Sequence, residues 1–466
     1  MDNFIIFGIY ALFAFCLAIG SVIFFSVALS SISARVLAFE KWFPIVLVAM
    51  IGFLMCAGGF LNARNLQYAS LGAGFIESDR SSAYLWISRL TSIALVGLAI
   101  PYFVFKALQW FKHQRYISWP LFNIIFFSLS CFLIPCFLGA VPYLDHRALY
   151  PVLMMVAIYL VTENGSESAL VAIKWSVFIF LIISLAFLVV DYQRVMAPGY
   201  RGWIPILNSR FWGLAPHANA IGPMAGLVVF LELLFPSRFR FVRFFIFTSA
   251  ATVLILAQSK TSIAATVLGL FVIFYSRFGR LASERNRVGF VFHKGHLFLL
   301  VLGVFFAALI LFSANVGLLN KISSRLDAVG VTSSVESMSG RTIIWEAALR
   351  EYRNNPIFGY GPTLWDDNYR RAIGLNYAYH AHNQILQTMA ASGTLGLLGL
   401  LAFLLFTMRR ALETCRLTDG VSVAIVILVL FRMVTEVPLS PTGIGNGEML
   451  SIIAMICIWR IKGKIN

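Results

Sequence analysis

Apolar runs of 15 to 27 residues recur along this chain from Phe4 to Ile461, and that feature fixes the solvent in which most of it must fold. A helix needs about 20 mostly apolar residues to cross the hydrocarbon core of a bilayer. Only 12% of the 466 residues are charged, against about 25% in an ordinary soluble protein. The pattern predicts an all-α polytopic membrane protein. Low charge, modest proline and glycine and six cysteines exclude disordered, collagen-like and disulfide-scaffold chains. A net charge of +16 would suggest a nucleic-acid partner in a soluble protein. In a membrane protein the positions of the charges matter more than their sum, and no nucleic-acid partner is expected.

Spans are expected near 4–30, 43–61, 83–105, 119–141, 148–162, 170–190, 216–235, 241–257, 261–276, 297–315, 384–407, 420–436 and 447–461. This gives about 12–13 transmembrane helices. The first run follows Met-Asp-Asn-Phe without a basic residue, so it reads as a retained span and not as a cleaved signal. Arg277, Arg280, Arg285, Arg287 and Lys294 crowd the loop 277–296. The loops around Arg238, Lys106 and Arg409 and the C-terminal basic residues fall on the same side if the spans alternate. The positive-inside rule makes that side cytoplasmic. The loop at Glu163–Ser168 lacks basic residues and fits the scheme least well.

The stretch 316–383 then faces the outside, the periplasm of a Gram-negative cell. It carries seven basic and six acidic side chains, and a structureless loop of that length would be unusual. It divides the chain into helices 1–315, a periplasmic loop 316–383 with short helices, and C-terminal helices 384–466. A helical pattern from Arg341 to about Arg353 is stopped by Asn354-Asn355-Pro356. Phe358-Gly359-Tyr360-Gly361-Pro362 is turn-rich, and Trp365 to Ile373 suits a second short helix.

Candidate chemistry gathers at the outer ends of the spans. His380-Ala381-His382-Asn383 immediately precedes a span. A histidine titrating near pH 6.5 is the usual general base for a hydroxyl, although interfacial histidines are also common. Zinc binding by the pair lacks an accompanying Cys or carboxylate at metal-site spacing, so no metal is expected. Arg341 is expected to open the loop helix, where free N–H groups favour anions and the guanidinium fork suits phosphate; a surface ion pair is its plainer reading. Lys260 stands alone between two apolar spans at a tight turn, where a charge is either functional or snorkelling to the interface. Arg201 and Arg210 lie in the outer loop 191–215, ahead of Pro216-His217-Ala218-Asn219. Glu436, at the end of a late span, could neutralise an Arg or orient the His, and a structural salt bridge is the alternative. Asp366-Asp367 reads as a solvated turn. Converging cations suit a phosphate or diphosphate, and no Walker or Rossmann pattern is present.

These residues carry a resemblance. His382-Asn383, nine residues, Gly393, two residues and Gly396 resemble the His-Asn pattern of the O-antigen ligase and polymerase superfamily. Gly340-Arg341-Thr342-Ile343-Ile344-Trp345 and Phe358-Gly359-Tyr360-Gly361 resemble its periplasmic-loop signature. Ser259-Lys260-Thr261 stands where many members have Ser-Arg-Gly, Arg210, Gly213 and Asn219 resemble an upstream element, and Glu436 a late acidic residue. The resemblance implies a GT-C-like, inverting, metal-independent glycosyltransferase of the bacterial inner membrane, with its active site facing the periplasm. The implied donor is an undecaprenyl-diphosphate-linked oligosaccharide. The implied acceptor is a glycan or lipid A-core, with a chain-length regulator as a further candidate partner and no cofactor. His382 would take the acceptor proton, Arg341 and Lys260 would grip the diphosphate, helped by Arg210 and Arg201, and His380, Asn383, Glu436 and Trp345 would support them. Lys260 in place of Arg leans toward the exopolysaccharide-polymerase branch over the ligases. A transporter or flippase for a lipid-linked glycan is the competing class.

Overall fold

The structure is a computed structural model that describes residues 33–62, 64–67, 81–112, 118–144, 148–200, 204, 207–286, 336–440 and 447–461. The expected spans 4–30 and 297–315 lie outside the described residues. Each of the other expected spans is helical: α1 Ser33–Leu61, α2 Ser82–Lys112, α3 Trp119–Leu138, α4 Leu149–Tyr159, α5 Glu163–Val190, α7 Ala218–Leu234, α8 Arg240–Ala257, α9 Lys260–Asn286, α12 Gln384–Thr414, α13 Val421–Thr435 and α14 Gly447–Ile458. Between α5 and α7 come a single turn, α6 Tyr192–Val195, and a two-stranded antiparallel ribbon, β1 Met196–Pro198 with β2 Ser209–Phe211. The loop supplies α10 Glu336–Asn354 and α11 Asp367–Ala372.

Seven of these helices are long and apolar enough to cross a membrane, and α4, α7, α13 and α14 are shorter apolar helices. The short ones are central. Nearly every residue of α7, α13 and α14 is buried, which explains why they read as apolar on all sides. Peripheral helices instead expose large apolar side chains, such as Phe241 and Phe244 on α8 and Phe271 and Phe274 on α9. The result is a multi-pass membrane fold with a lipid-facing rim. Close approach inside it uses small residues. Gly222 and Gly226 of α7 meet Ser262 and Thr266 of α9, where an added Cβ would lie 2.8 and 2.5 Å from the hydroxyl oxygens. At one end of the bundle the buried Lys174 of α5 donates to Glu232 of α7 at 2.9 Å and to the Phe235 carbonyl at 2.7 Å.

Two sequence expectations need correction here. The segment at Glu163–Ser168 is the first turns of α5, not a loop. Thr162 caps it by accepting from the Gly165 N–H, and Glu163 complements the positive helix end. The loop helix α10 begins at Glu336, five residues before Arg341, because Gly340 is carried within the helix and does not precede it.

The loop lobe has its own small core of Ile344, Ala348, Leu364, Trp365 and Tyr369, packed against Ala381 and Ala390. Its turn-rich segment is built into a break in α12. Gly393, inside that helix, has φ 65°, a conformation open to glycine at little steric cost. The break frees backbone groups on α12, and the loop takes them up. Tyr360 and Gly361 donate to the Ala390 and Ala391 carbonyls at 2.8 and 3.0 Å, while Thr394 donates to Pro356 at 2.7 Å. The other edge of the same segment accepts from Ala140 and Val141, just beyond α3. The lobe is thus anchored over the start of α12, beside the two histidines.

Candidate active site

The segment His380-Ala381-His382 enters α12 along a path fixed from both sides. Asn383 is the helix N-cap, its side chain accepting from the Leu386 N–H at 3.1 Å. Trp345 of α10 donates its indole N–H to the Ala381 carbonyl at 2.8 Å. The Gln387 side-chain oxygen accepts from the Ala381 N–H at 2.9 Å. His382 itself has φ 49°, in the left-handed region that residues with a Cβ seldom occupy.

Both imidazoles face one carboxylate. Glu436, the residue that ends α13, places Oε2 at 3.5 Å from His380 Nε2 and 3.4 Å from His382 Nδ1. The rings lie 4.1 Å apart between centroids. His380 Nδ1 accepts from the His382 backbone N–H at 3.1 Å, so the proton of neutral His380 sits on Nε2, toward the carboxylate. Burial lowers the His380 pKa to about 3; the neighbouring His382 and the charges of Arg341 and Arg432 add to this, and Glu436 opposes them. For Glu436 burial alone would raise the pKa. The facing His382 and His380 and the Asn219 amide outweigh it and hold the carboxylate well below its usual range.

A second arm reaches Glu436 from the ribbon and α7. Asn219 donates to Glu436 Oε1 at 2.7 Å and accepts at its own oxygen from Arg210 Nη2 at 2.5 Å. Arg210, on β2, also donates to the Ala257 carbonyl at 2.8 Å and lies over the Tyr200 ring. It therefore pins the α8–α9 turn while orienting Asn219. His217 caps α7 through Nδ1, and burial with the Arg210 charge lowers its pKa to about 4. The guanidinium and the amide are hydrogen-bonded in series to the carboxylate, which faces the two imidazoles at 3.4 and 3.5 Å, with groups drawn from β2, α7, the end of α13 and the loop before α12.

The predicted site residues fare differently. His382, His380, Glu436 and Arg210 are brought together, with Asn383 and Trp345 holding the backbone around them. Arg341 is half-buried, has no carboxylate partner among the described residues, and its charge acts on Arg210, His217 and His380. It does not open its helix, so the free N–H groups of a helix start give it no support. Lys260 is the exposed first residue of α9, two positions beyond the buried Gln258 that anchors the turn through the Ser209 carbonyl. Arg201 lies outside the described residues. Asp366 is the N-cap of α11, accepting from Tyr369 at 2.7 Å, and Asp367 pairs with Arg370. Asn219, His217 and Gln387 belong to the site or its frame without having been singled out for it. Asn219 was visible as part of an element resembling the family's, without a role assigned to it, and His217 only as a polar residue entering a span.

Folding brings to the two histidines the carboxylate that sequence spacing lacks. His380, His382 and Glu436 offer ligand atoms within 4.8 Å of one another, a grouping that could hold an ion. The carboxylate comes from a distant helix, so spacing could not reveal it. One bond in the cluster opposes coordination. Ligation through His380 Nε2 would move its proton to Nδ1 and break the bond from the His382 N–H. Ligation of an ion through His380 would thus cost the bond that fixes its ring.

Residues 244–401 match the family model for O-antigen ligase. The match covers α8, α9, the loop lobe and the first half of α12, and so contains Lys260, Arg341, His380 and His382. It supports the resemblance to the O-antigen ligase and polymerase superfamily, and with it a membrane glycan transferase of ligase or polymerase type. Arg210 and Asn219 precede the matched segment and Glu436 follows it, yet Glu436 faces its two histidines, Asn219 donates to Glu436 and Arg210 donates to Asn219. No curated protein matches the chain.

Proposed function

We propose that this protein is an inverting, metal-independent glycosyltransferase of GT-C type. It moves a glycan from undecaprenyl diphosphate to a hydroxyl acceptor at the periplasmic face of the bacterial inner membrane. The observation that carries this reading is His382 facing Glu436 at 3.4 Å, with Arg341 half-buried, its charge felt at His380, and free of a carboxylate partner among the described residues.

In the proposed step His382 Nε2 accepts the acceptor hydroxyl proton while that oxygen attacks the anomeric carbon. The bond from the anomeric carbon to the diphosphate oxygen breaks, and its electron pair leaves with the diphosphate. Attack opposite the leaving group inverts the configuration. Glu436 holds Nδ1 of the ring and stabilises the imidazolium that forms, the role a carboxylate plays in other histidine-based relays. The leaving diphosphate gains charge as the bond breaks, so a fixed cation stabilises the transition state more than the ground state. Arg341 supplies it, and Lys260 and Arg201 are the further cations assigned to the diphosphate. Arg210 spends two of its donors on Asn219 and Ala257 and contributes mainly through Asn219 to the placement of Glu436. Two lipid-tethered substrates bring a further gain from positioning.

Ser259-Lys260-Thr261 favours polymerisation of O-antigen or exopolysaccharide repeat units over ligation to lipid A-core. The test uses protein purified in liposomes, a labelled undecaprenyl-diphosphate repeat unit of the host and no nucleotide sugar. A ladder formed without lipid A-core is the expected result. A single mobility shift that requires lipid A-core would make the protein a ligase. Movement of the intact lipid across the bilayer without any product would replace the reading with transport.

A further inference from the structure

The distance between the histidines and Glu436 is set by neither residue alone, and the structure identifies what sets it. The first turns of α12 carry two glutamines, Gln384 and Gln387, one helical turn apart. Gln384, almost fully buried, accepts from the Leu439 N–H at 2.8 Å and donates to the Ser440 hydroxyl at 2.8 Å. It thereby grips the segment that follows Glu436. Gln387 uses a single atom: Oε1 accepts from the Ala381 N–H and from the Trp365 indole, both at 2.9 Å. It thereby grips the residue between the two histidines and ties it to the core of the loop lobe. Both arms of the site are measured from one rigid element, and Trp345 closes the clamp on the Ala381 carbonyl.

We propose that Gln387 is a positioning residue for the transfer reaction, holding His382 in its left-handed conformation and at its distance from Glu436 by accepting the Ala381 N–H. The proposal deepens the function given above and rests on it. Gln387 touches no substrate. It acts through the backbone of its neighbours, and a small displacement of a catalytic group carries a large penalty in rate.

The chemistry of the contact gives a discriminating pair of variants. Both bonds use the oxygen as acceptor, and a carboxylate accepts equally well, so Gln387→Glu preserves them at this half-buried position. Gln387→Leu keeps the length and removes the acceptor. With purified full-length protein and the labelled lipid-linked repeat unit, Gln387→Leu is expected to lower kcat roughly tenfold to hundredfold with KM nearly unchanged. Gln387→Glu is expected to stay within about threefold of wild type. Intrinsic tryptophan fluorescence on heating reports folding of both. If Gln387→Leu fails to fold, Trp345→Phe removes the opposing half of the clamp, and the same fall in kcat at constant KM is expected of it. Wild-type kcat in a folded Gln387→Leu protein would overturn the proposal, as would a loss confined to KM or equal inactivity of the folded Leu and Glu variants. His382→Ala is measured in parallel. If it transfers normally, the functional reading fails; if it is inactive while Gln387→Leu is not, only the positioning role fails.

Discussion

His382 sits at φ 49°, a backbone conformation that destabilises a residue with a Cβ by about 1–3 kcal/mol and persists only where neighbours enforce it. The neighbours are identifiable: an indole on the Ala381 carbonyl, an amide oxygen on the Ala381 N–H, and the Asn383 cap. The same compactness has a consequence for pH. His217 and His380 titrate near 6.5 when unfolded and near 4 and 3 when folded. Between those limits the unfolded chain binds more protons, so their contribution is complete above about pH 6.5 and is lost as pH falls toward the folded values. Thermal unfolding followed by tryptophan fluorescence in detergent should show the melting temperature falling from about pH 6.5 toward pH 4. A flat profile across that window would contradict the neutral state of the two half-buried rings. At this scale the sequence was informative about identity and poor about partnership. His382, Arg341 and Glu436 were readable as a base, a cation and an acid. Nothing in the spacing announced that one carboxylate serves both histidines, or that Asn219 links it to Arg210, because those contacts are made between α7, α13 and the loop before α12.

Among the elements, α12 does the most to assemble the site. It starts at the histidine loop, carries both gripping glutamines, and breaks at Gly393 to receive the segment from Phe358 to Gly361. A Cβ at Gly393 would lie 2.3 Å from the Ile357 carbonyl oxygen, in addition to the strain of φ 65°. Gly393→Ala is therefore expected to destabilise the protein by more than about 2 kcal/mol and to abolish transfer. A protein with wild-type melting temperature and activity would show that the loop does not depend on the break. The helices themselves were legible, since apolar length and periodicity are local properties. Their joints were less so. The start of α5 was hidden because Glu163 and its polar neighbours form a capped first turn. The start of α10 was hidden because the readable helical pattern begins at Arg341, just after Gly340, which is an interior residue of the helix. The glycines of the turn-rich segment and of α12 were visible as motifs, but that they interlock is a property of two segments together.

For the whole molecule, the bundle presents a lipid-facing rim around buried central helices and gathers its polar chemistry at the mouth of that centre. The far end is held by a satisfied ion pair, Lys174 with Glu232, and so needs no ligand to explain it. Fold class was the most legible property of all, since composition and run length alone specify a chain that packs in a bilayer. The proposed metal-independent transfer adds a further expectation: it proceeds in excess EDTA, because ligation through His380 Nε2 would break the bond from the His382 N–H. Loss of activity in chelator, restored by a divalent cation, would instead assign His380, His382 and Glu436 to a metal. The most direct test of the central claim compares wild-type and His382→Ala proteins, both purified and reconstituted, on the labelled lipid-linked repeat unit without nucleotide sugar. Glycan product and released undecaprenyl diphosphate are expected from the wild type and neither from a folded His382→Ala protein. Wild-type product from the folded variant would contradict it.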